Sequence, residues 1–228
     1  SHDLILDVLA DRMPVLCPGH YLTSTHVGST AGLLALQRDE AHVAPIHLLD
    51  PASGVYNLPI LREMFPHEPM ALIKGVERIQ GLILPPGNPL GLRSVADLPG
   101  RRFINRQRGA GTRLLLDYQL AKLGLEPESI IGYEREAATH MAVAAAVQGG
   151  SADCGLGVWS AARALELDFV PIGREEYDFA LPQKYLALPQ VAAFRQALAD
   201  PWFADRLGEM GGYACPRAGE VCLVENGS

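Results

Sequence analysis

Three stretches place small polar residues and glycines directly ahead of a helix-forming run: Ser1-His2-Asp3, Gly28-Ser29-Thr30-Ala31-Gly32 and Arg108-Gly109-Ala110-Gly111-Thr112-Arg113. A helix start presents unpaired backbone N–H groups and a partial positive charge, and glycine lets a ligand approach the backbone, so each stretch is suited to gripping an anion. Ser1, His2, Ser29 and Thr30 are the ligand-binding candidates of the first two starts. Around the third, Arg106, Gln107, Arg108, Gly109, Gly111, Thr112 and Arg113 add guanidinium groups suited to carboxylate or phosphate. Thr139-His140 opens a fourth helix and supplies two more candidates. The alternative for any one start is an ordinary helix cap, and for the arginines a solvated basic rim.

His47, Asp50, Tyr56 and Asn57 follow a predicted buried strand and are read as ligand contacts or a structural turn. As an acid/base pair, His47 and Asp50 would need a nucleophile and an oxyanion hole, and no GxSxG string is present. A Walker loop and GxGxxG are likewise absent; Gly109 to Leu114 lacks the last glycine. No catalytic residue is assigned. The seven histidines include no HExxH, the four cysteines no CxxC, and no metal site is legible. Cys17, Cys154, Cys215 and Cys222 are read as free thiols, with a Cys215–Cys222 bridge as the alternative.

The elements that must carry these residues follow from periodicity. Leu4, Ile5, Val8, Leu9 and Met13 fall at helical spacing behind Asp3 as N-cap. A helix with no strand ahead of it reads as a domain taken from a longer chain. Tyr21–His26 predicts a short strand, Ala31–Arg38 a helix and His42–Leu48 a buried strand. Leu72–Ile73 and Gln80–Leu84 predict two separate short strands, and Arg102–Ile104 another. A strongly periodic helix over Thr112–Leu123 is closed by Gly124. A strand at Ile130–Ile131, a helix over Thr139–Gln148, a strand over Ala152–Val158, a helix over Trp159–Leu165 and a strand over Phe169–Ile172 continue the alternation, which implies parallel sheet with right-handed crossovers. Helices over Gln190–Leu198 and Pro201–Met210 and an irregular tail complete the chain.

The 228 residues suffice for one large core or two lobes of about 100 residues each. Hydrophobic residues at 48% and charged residues at 20% exclude a disordered chain. A formal charge of -7 argues against nucleic acid as a partner. The longest apolar run, Met141–Val147, falls far short of the roughly 20 residues of a membrane span, and no secretory signal is visible.

The strings SHDLILDVLA, VGSTAGLLAL, HVAPIHLLDPASGVYN, RIQGLILPPGNP, FINRQRGAGTRLLLDYQL, THMAVAAAVQGGSADCGLGVWSAARALELDFVP and EEYDFALP span most of the chain. In them it resembles the periplasmic-binding-protein-like domain of molybdate-responsive helix-turn-helix regulators, also found fused to molybdopterin biosynthesis proteins. More distantly it is similar to extracellular molybdate- and tungstate-binding proteins. The resemblance implies an α/β, two-lobe type II periplasmic-binding-protein-like fold with a hinge and an interlobe ligand cleft. Lobe one is expected over 1–73 plus 178–228, lobe two over 80–172, and hinge segments over 74–79 and 173–177. It also implies Ser1 and Ser29 as first-lobe ligands, with the loop from Arg106 to Thr112 and Thr139 facing them. The expected ligand is a small anion: molybdate, tungstate or a molybdopterin-related compound, the three arginines favouring a larger phosphate- or carboxylate-bearing molecule. Lobe closure would pass to a fused DNA-binding or molybdopterin-biosynthesis domain outside this chain. A transport-type solute receptor and a pterin-processing enzyme domain are the alternatives. No cofactor is expected, and the location is cytoplasmic, or periplasmic if a signal has been removed.

Overall fold

The computed structural model describes residues 3–225. In chain order the elements are α1 (Leu4–Leu16), α2 (Ser29–Gln37), β1 (Ala44–Ile46), α3 (Leu58–Met64), β2 (Met70–Leu84), β3 (Phe103–Arg106), α4 (Gly111–Leu123), β4 (Glu136–Ala137), α5 (His140–Gln148), β5 (Cys154–Val158), α6 (Trp159–Ala164), β6 (Asp168–Pro182), α7 (Pro189–Leu198), α8 (Pro201–Met210), β7 (Tyr213–Ala214) and β8 (Val221–Val224). The chain forms two compact units, one of the residues up to Glu77 with those from Glu176 onward, the other of Arg78–Glu175. Both boundaries fall inside the 15-residue strands β2 and β6.

In the first unit the strand order is β1-β6-β2, and β7 and β8 also pair with β2. β1 runs antiparallel to β6 with Ala44 opposite Ala180, and β8 antiparallel to β2 with Met70 opposite Val224. Two buried apolar clusters form here. One joins Ile5 and Leu9 of α1 to Phe179, Phe194 of α7 and Phe203 of α8; the other joins Leu33 and Leu36 of α2 to Ile46, Leu61 and Leu72. Phe179 and Phe194 meet edge to face, centroids 4.8 Å apart, a contact that adds about 1 kcal/mol to the burial of their area. Asp3 caps α1 by accepting Ile5 N–H at 3.0 Å, and it accepts the Tyr213 hydroxyl at 2.9 Å.

In the second unit β2 pairs antiparallel with β5, Gln80 opposite Val158, and β3 runs parallel to both β5 and β4. α4 ends on Gly124 at φ 65°, the left-handed conformation that closes a helix without side-chain strain. Leu116 and Leu120 of α4 are buried against Phe103 and Leu156, and Val143 and Val147 of α5 against Ile83 and Ile104.

The sheets are therefore mixed where the strand and helix alternation implied parallel pairing. The segments 74–79 and 173–177 lie within β2 and β6. Tyr21–His26 is irregular, and Ile131 makes only an isolated bridge to Arg102. Tyr21 and residues 23–26 are exposed and only Leu22 packs inward, so that run offers no alternating buried face for a sheet to use. The tail contributes β7 and β8 in place of irregular structure. All four cysteines are free thiols, and burial pushes Cys154 up to about 12.

Candidate functional site

Of the four helix starts, Ser1 and His2 lie outside the described residues, and the starts of α1 and α5 are occupied by their own side chains. Asp3 caps α1, and Thr139 caps α5 by accepting Ala142 N–H at 3.0 Å. The starts of α2 and α4 differ: their N-caps, Gly28 and Ala110, form no side-chain cap. First-turn amides left without a cap are directed outward for another acceptor.

At α2, Ser29 is fully buried and its Oγ accepts His47 N–H at 3.3 Å, whereas Thr30 is exposed. The His47 ring lies tilted on Tyr177, centroids 5.8 Å apart. Asn57, at φ 66°, accepts Leu48 N–H at 2.9 Å and donates to Asp178 at 3.0 Å. Asp178, 2% exposed, also accepts Lys74 Nζ at 2.6 Å and Gly75 N–H at 3.2 Å. Burial works to lower the Lys74 pKa, but Asp178 and then Glu176 outweigh it and hold it above the ordinary value. Asp50 closes its own turn, accepting from Ser53 and Ala52; the Ser53 hydroxyl in particular holds its pKa down. Tyr56, half-buried, bridges to Leu49.

At α4, the turn before the helix is made by Gly109 at φ 79°, with Ala110 N–H on Gln107 O at 3.1 Å. Arg106, 2% exposed, donates from Nε to Ala137 O at 3.2 Å and from Nη2 to Ala138 O at 3.1 Å. The Gln107 carboxamide, oriented to donate, reaches the same carbonyls at 2.8 and 3.1 Å. Arg108 and Arg113 have acidic partners. Arg108 Nη2 meets Glu134 at 2.9 Å, and Arg113 Nη1 meets Glu136 at 2.7 Å. The Arg108 hydrogen bond, more than any other contact, holds Glu134 below the usual carboxylate range. Arg113 also lies over the Tyr133 ring, 4.8 Å from its centroid. Arg108 and Arg113 thus have carboxylate partners within the unit, and Arg106 and Arg113 are both buried beside the α4 start. Gly111 and Thr112 are buried in the first turn, and His140 is buried beside Gly157.

Sequence reasoning missed the polar cluster behind Thr112. Arg78 and Glu175 form a fully buried ion pair, and Gln80, 0% exposed, donates to Glu175 at 2.6 Å and to Thr112 Oγ1 at 3.1 Å. The partners are up to 97 residues apart, so no local motif announces them. Charged and amide residues at consecutive inward positions of a strand were the available signal. A cavity of about 510 Å³ lies elsewhere in the first unit, under Tyr21–Val27, and none of the predicted site residues lines it. Among the described residues no cluster of His, Cys, Asp and Glu could hold a metal, and no helix is long and apolar enough to cross a membrane.

Residues 10–199 match the family model of the PBP superfamily domain. The uncharacterized protein YvgK of Bacillus subtilis is 34% identical over 225 residues, 98% of this chain and 72% of that protein. Among solved structures, a protein described as a phosphate ABC transporter substrate-binding protein, with bound phosphate, from Clostridium perfringens superposes with TM-score 0.69 at 11% identity, covering 93% of this chain and 94% of that one. The regulatory domain of MetR, a LysR family regulator from N. meningitidis, superposes with TM-score 0.57 at 13% identity, covering 92% and 91%. These likenesses establish a mixed α/β, two-lobe periplasmic-binding-protein-like fold.

Proposed function

Because the chain belongs to the PBP superfamily, we propose that it is a non-catalytic binding domain for a small anion and that it signals occupancy to an attached domain. The observation that supports this most is the α4 start: a buried first turn without a side-chain cap, a Thr112 hydroxyl in it, and the buried Arg106 five residues ahead. A helix start carries about half a positive charge, and out of water that charge and its N–H donors are matched by an anion. Ser29, at the uncapped start of α2 in the other unit, is a separate candidate donor. The other polar residues there serve the fold: Asp50 binds its own turn, and Asn57 and Asp178 bind backbone and Lys74.

Molybdate, tungstate and molybdopterin-related compounds, implied by the resemblance, and phosphate, found in the C. perfringens structure, all present the oxygens such a start grips. The likeness to a LysR regulatory domain favours a sensing role, and the likeness to a transporter's binding protein supports a solute-receptor role as the second reading. Thermal shift and calorimetry with molybdate, tungstate, sulfate and phosphate test the proposal. At least one anion is expected to raise the melting temperature. Thr112→Val should weaken the best ligand by about 1–3 kcal/mol while leaving the fold intact. No response to any of the four sinks the reading.

A further inference from the structure

We propose that the cavity of about 510 Å³ in the first unit is the seat of one more β-strand, and that the polypeptide leading into α1 supplies it. The inference stands apart from the anion-binding reading. It begins with the helices on either side of the sheet. Along β2 and β6, neighbouring residues alternate between the two apolar clusters of the unit. Ile73 and Phe179 pack with α1 and α7, whereas Leu72 and Ala180 pack with α2 and α3. Successive strand residues point to opposite faces, so α1 with α7 covers one face of the sheet and α2 with α3 the other. The cavity is lined from both layers: by Leu6 and Met13 of α1 and Val191 and Phe194 of α7, and by Gly32 and Ala35 of α2. A space that reaches both layers lies in the plane of the sheet itself.

Its edges fit a strand as well. Val43, Ala44 and Pro45 line it at β1, which ends the strand order and pairs with β6 but with no second strand among the described residues. Tyr21 to Thr25 and Val27 also line it, a run whose residue types predict a strand and which is irregular here. A position with helices on both faces and chain running along its edges is that of an interior strand in an α/β sheet. Leu6 and Met13 stand about 10 Å apart along α1, a length that three or four strand residues span. Connectivity names the occupant. Leu6 lies in the first turn of α1, so a strand ending beside it reaches the helix through a short loop. That strand, α1 and Tyr21–His26 then make a strand–helix–strand unit with the right-handed crossover such units take. Covered on both faces, the strand should be apolar along its length.

The test supplies such a strand to the 228-residue chain. One variant carries Val-Ile-Val-Ile-Val ahead of residue 1, and a control carries Val-Pro-Val-Pro-Val, whose prolines lack the N–H groups a ladder uses. The first should melt at least about 5 °C above both the control and the parent. Amide exchange over Tyr21–Val27 should slow about 10-fold or more in it, because that run gains a partner. Val-Thr-Val-Thr-Val, less prone to aggregate, should shift both measurements in the same direction and carries the test should the apolar stretch precipitate. Ala35→Phe sets a ring into the cavity and should abolish the gain in melting temperature. Melting and exchange equal to the control's would overturn the proposal. So would stabilisation that leaves exchange over Tyr21–Val27 unchanged or that survives Ala35→Phe, since the added strand would then be seated elsewhere.

Discussion

Replacing Gly75 by alanine probes how closely β2 and β6 are joined in the first unit. A Cβ at this position would stand 2.2 Å from Tyr177 O and 2.8 Å from Phe179 Cε2. Nonbonded heavy atoms settle at about 3.5 Å, so the methyl would sit more than roughly 1 Å too close to a backbone oxygen that cannot rotate away. Relief requires the β6 backbone to retreat just where Asp178 accepts Gly75 N–H at 3.2 Å, Lys74 Nζ at 2.6 Å and Asn57 Nδ2 at 3.0 Å. Overpacking costs about 1–3 kcal/mol, and loosening one of these bonds adds about 1 kcal/mol, for a total of about 2–4 kcal/mol. At about 2–4 °C per kcal/mol for a chain of this size, the melting temperature should fall by about 4–16 °C. Gly173→Ala, on the same strand β6 but with nothing within 4 Å of its Cβ, is the control and should melt within about 1 °C of the parent. Calorimetric melts at equal protein concentration decide the matter. If Gly75→Ala melts alongside Gly173→Ala, the strand contact is far softer than these distances require.

Asp178→Ala should cost about 3–5 kcal/mol in urea unfolding, because Lys74 and Asn57 lose their shared buried acceptor; a cost under about 1 kcal/mol would show that the network is replaceable. Tyr133 is pushed up to about 12, first by burial and then by its hydrogen bond to Asp117. An acid whose folded pKa is raised stabilises the fold fully below its unfolded value of about 10 and loses that contribution as pH rises toward 12. Ultraviolet titration should therefore show a late-ionising component, and Tyr133→Phe should remove one tyrosine from it. Arg108→Ala, at a 75% exposed ion pair, should change stability by less than about 1 kcal/mol. Arg113→Ala should cost about 2–3 kcal/mol, because its guanidinium is 6% exposed, bonded to Glu136 and stacked on Tyr133. Reversal of that order would contradict the burial of Arg113.

What the sequence made legible was local. The helix from Gly111 to Leu123 announces itself by apolar periodicity and Gly124, and α7 and α8 follow Pro189 and Pro201 at their first positions. The long strands were broken up in the reading because Lys74, Gly75, Glu77 and Arg78 interrupt the apolar run Met70–Ile73. In the fold Lys74 finds Asp178 and Arg78 finds Glu175, partners about a hundred residues away that no pattern in a short window reveals. The residue types around Ser29 and Thr112 pointed to helix starts correctly. Which starts are occupied depended on whether Asp3 and Thr139 turn back onto their own helices, a rotamer choice that residue types leave open. The glutamates that neutralise Arg108 and Arg113 lie just before β4 and at its first residue, more than 20 residues onward.

The chain's division also sets an order for synthesis. The unit of Arg78–Glu175 is contiguous, so its whole core has been made once residue 175 is in place. The other unit draws Ile5 and Leu9 onto Phe194 and Phe203, and Arg12 onto Asp200, so its helix α1 must wait until residues 194–203 have been made. At translation rates of about 5–20 residues per second that wait lasts roughly 10–40 s. During it the apolar stripe of α1 is uncovered and open to chaperones, while the later-starting middle unit can already be native. A ribosome-bound fragment extended far enough past residue 175 for that residue to clear the exit tunnel should therefore hold one protease-resistant body, Arg78–Glu175, behind an N-terminal stretch that is cut readily.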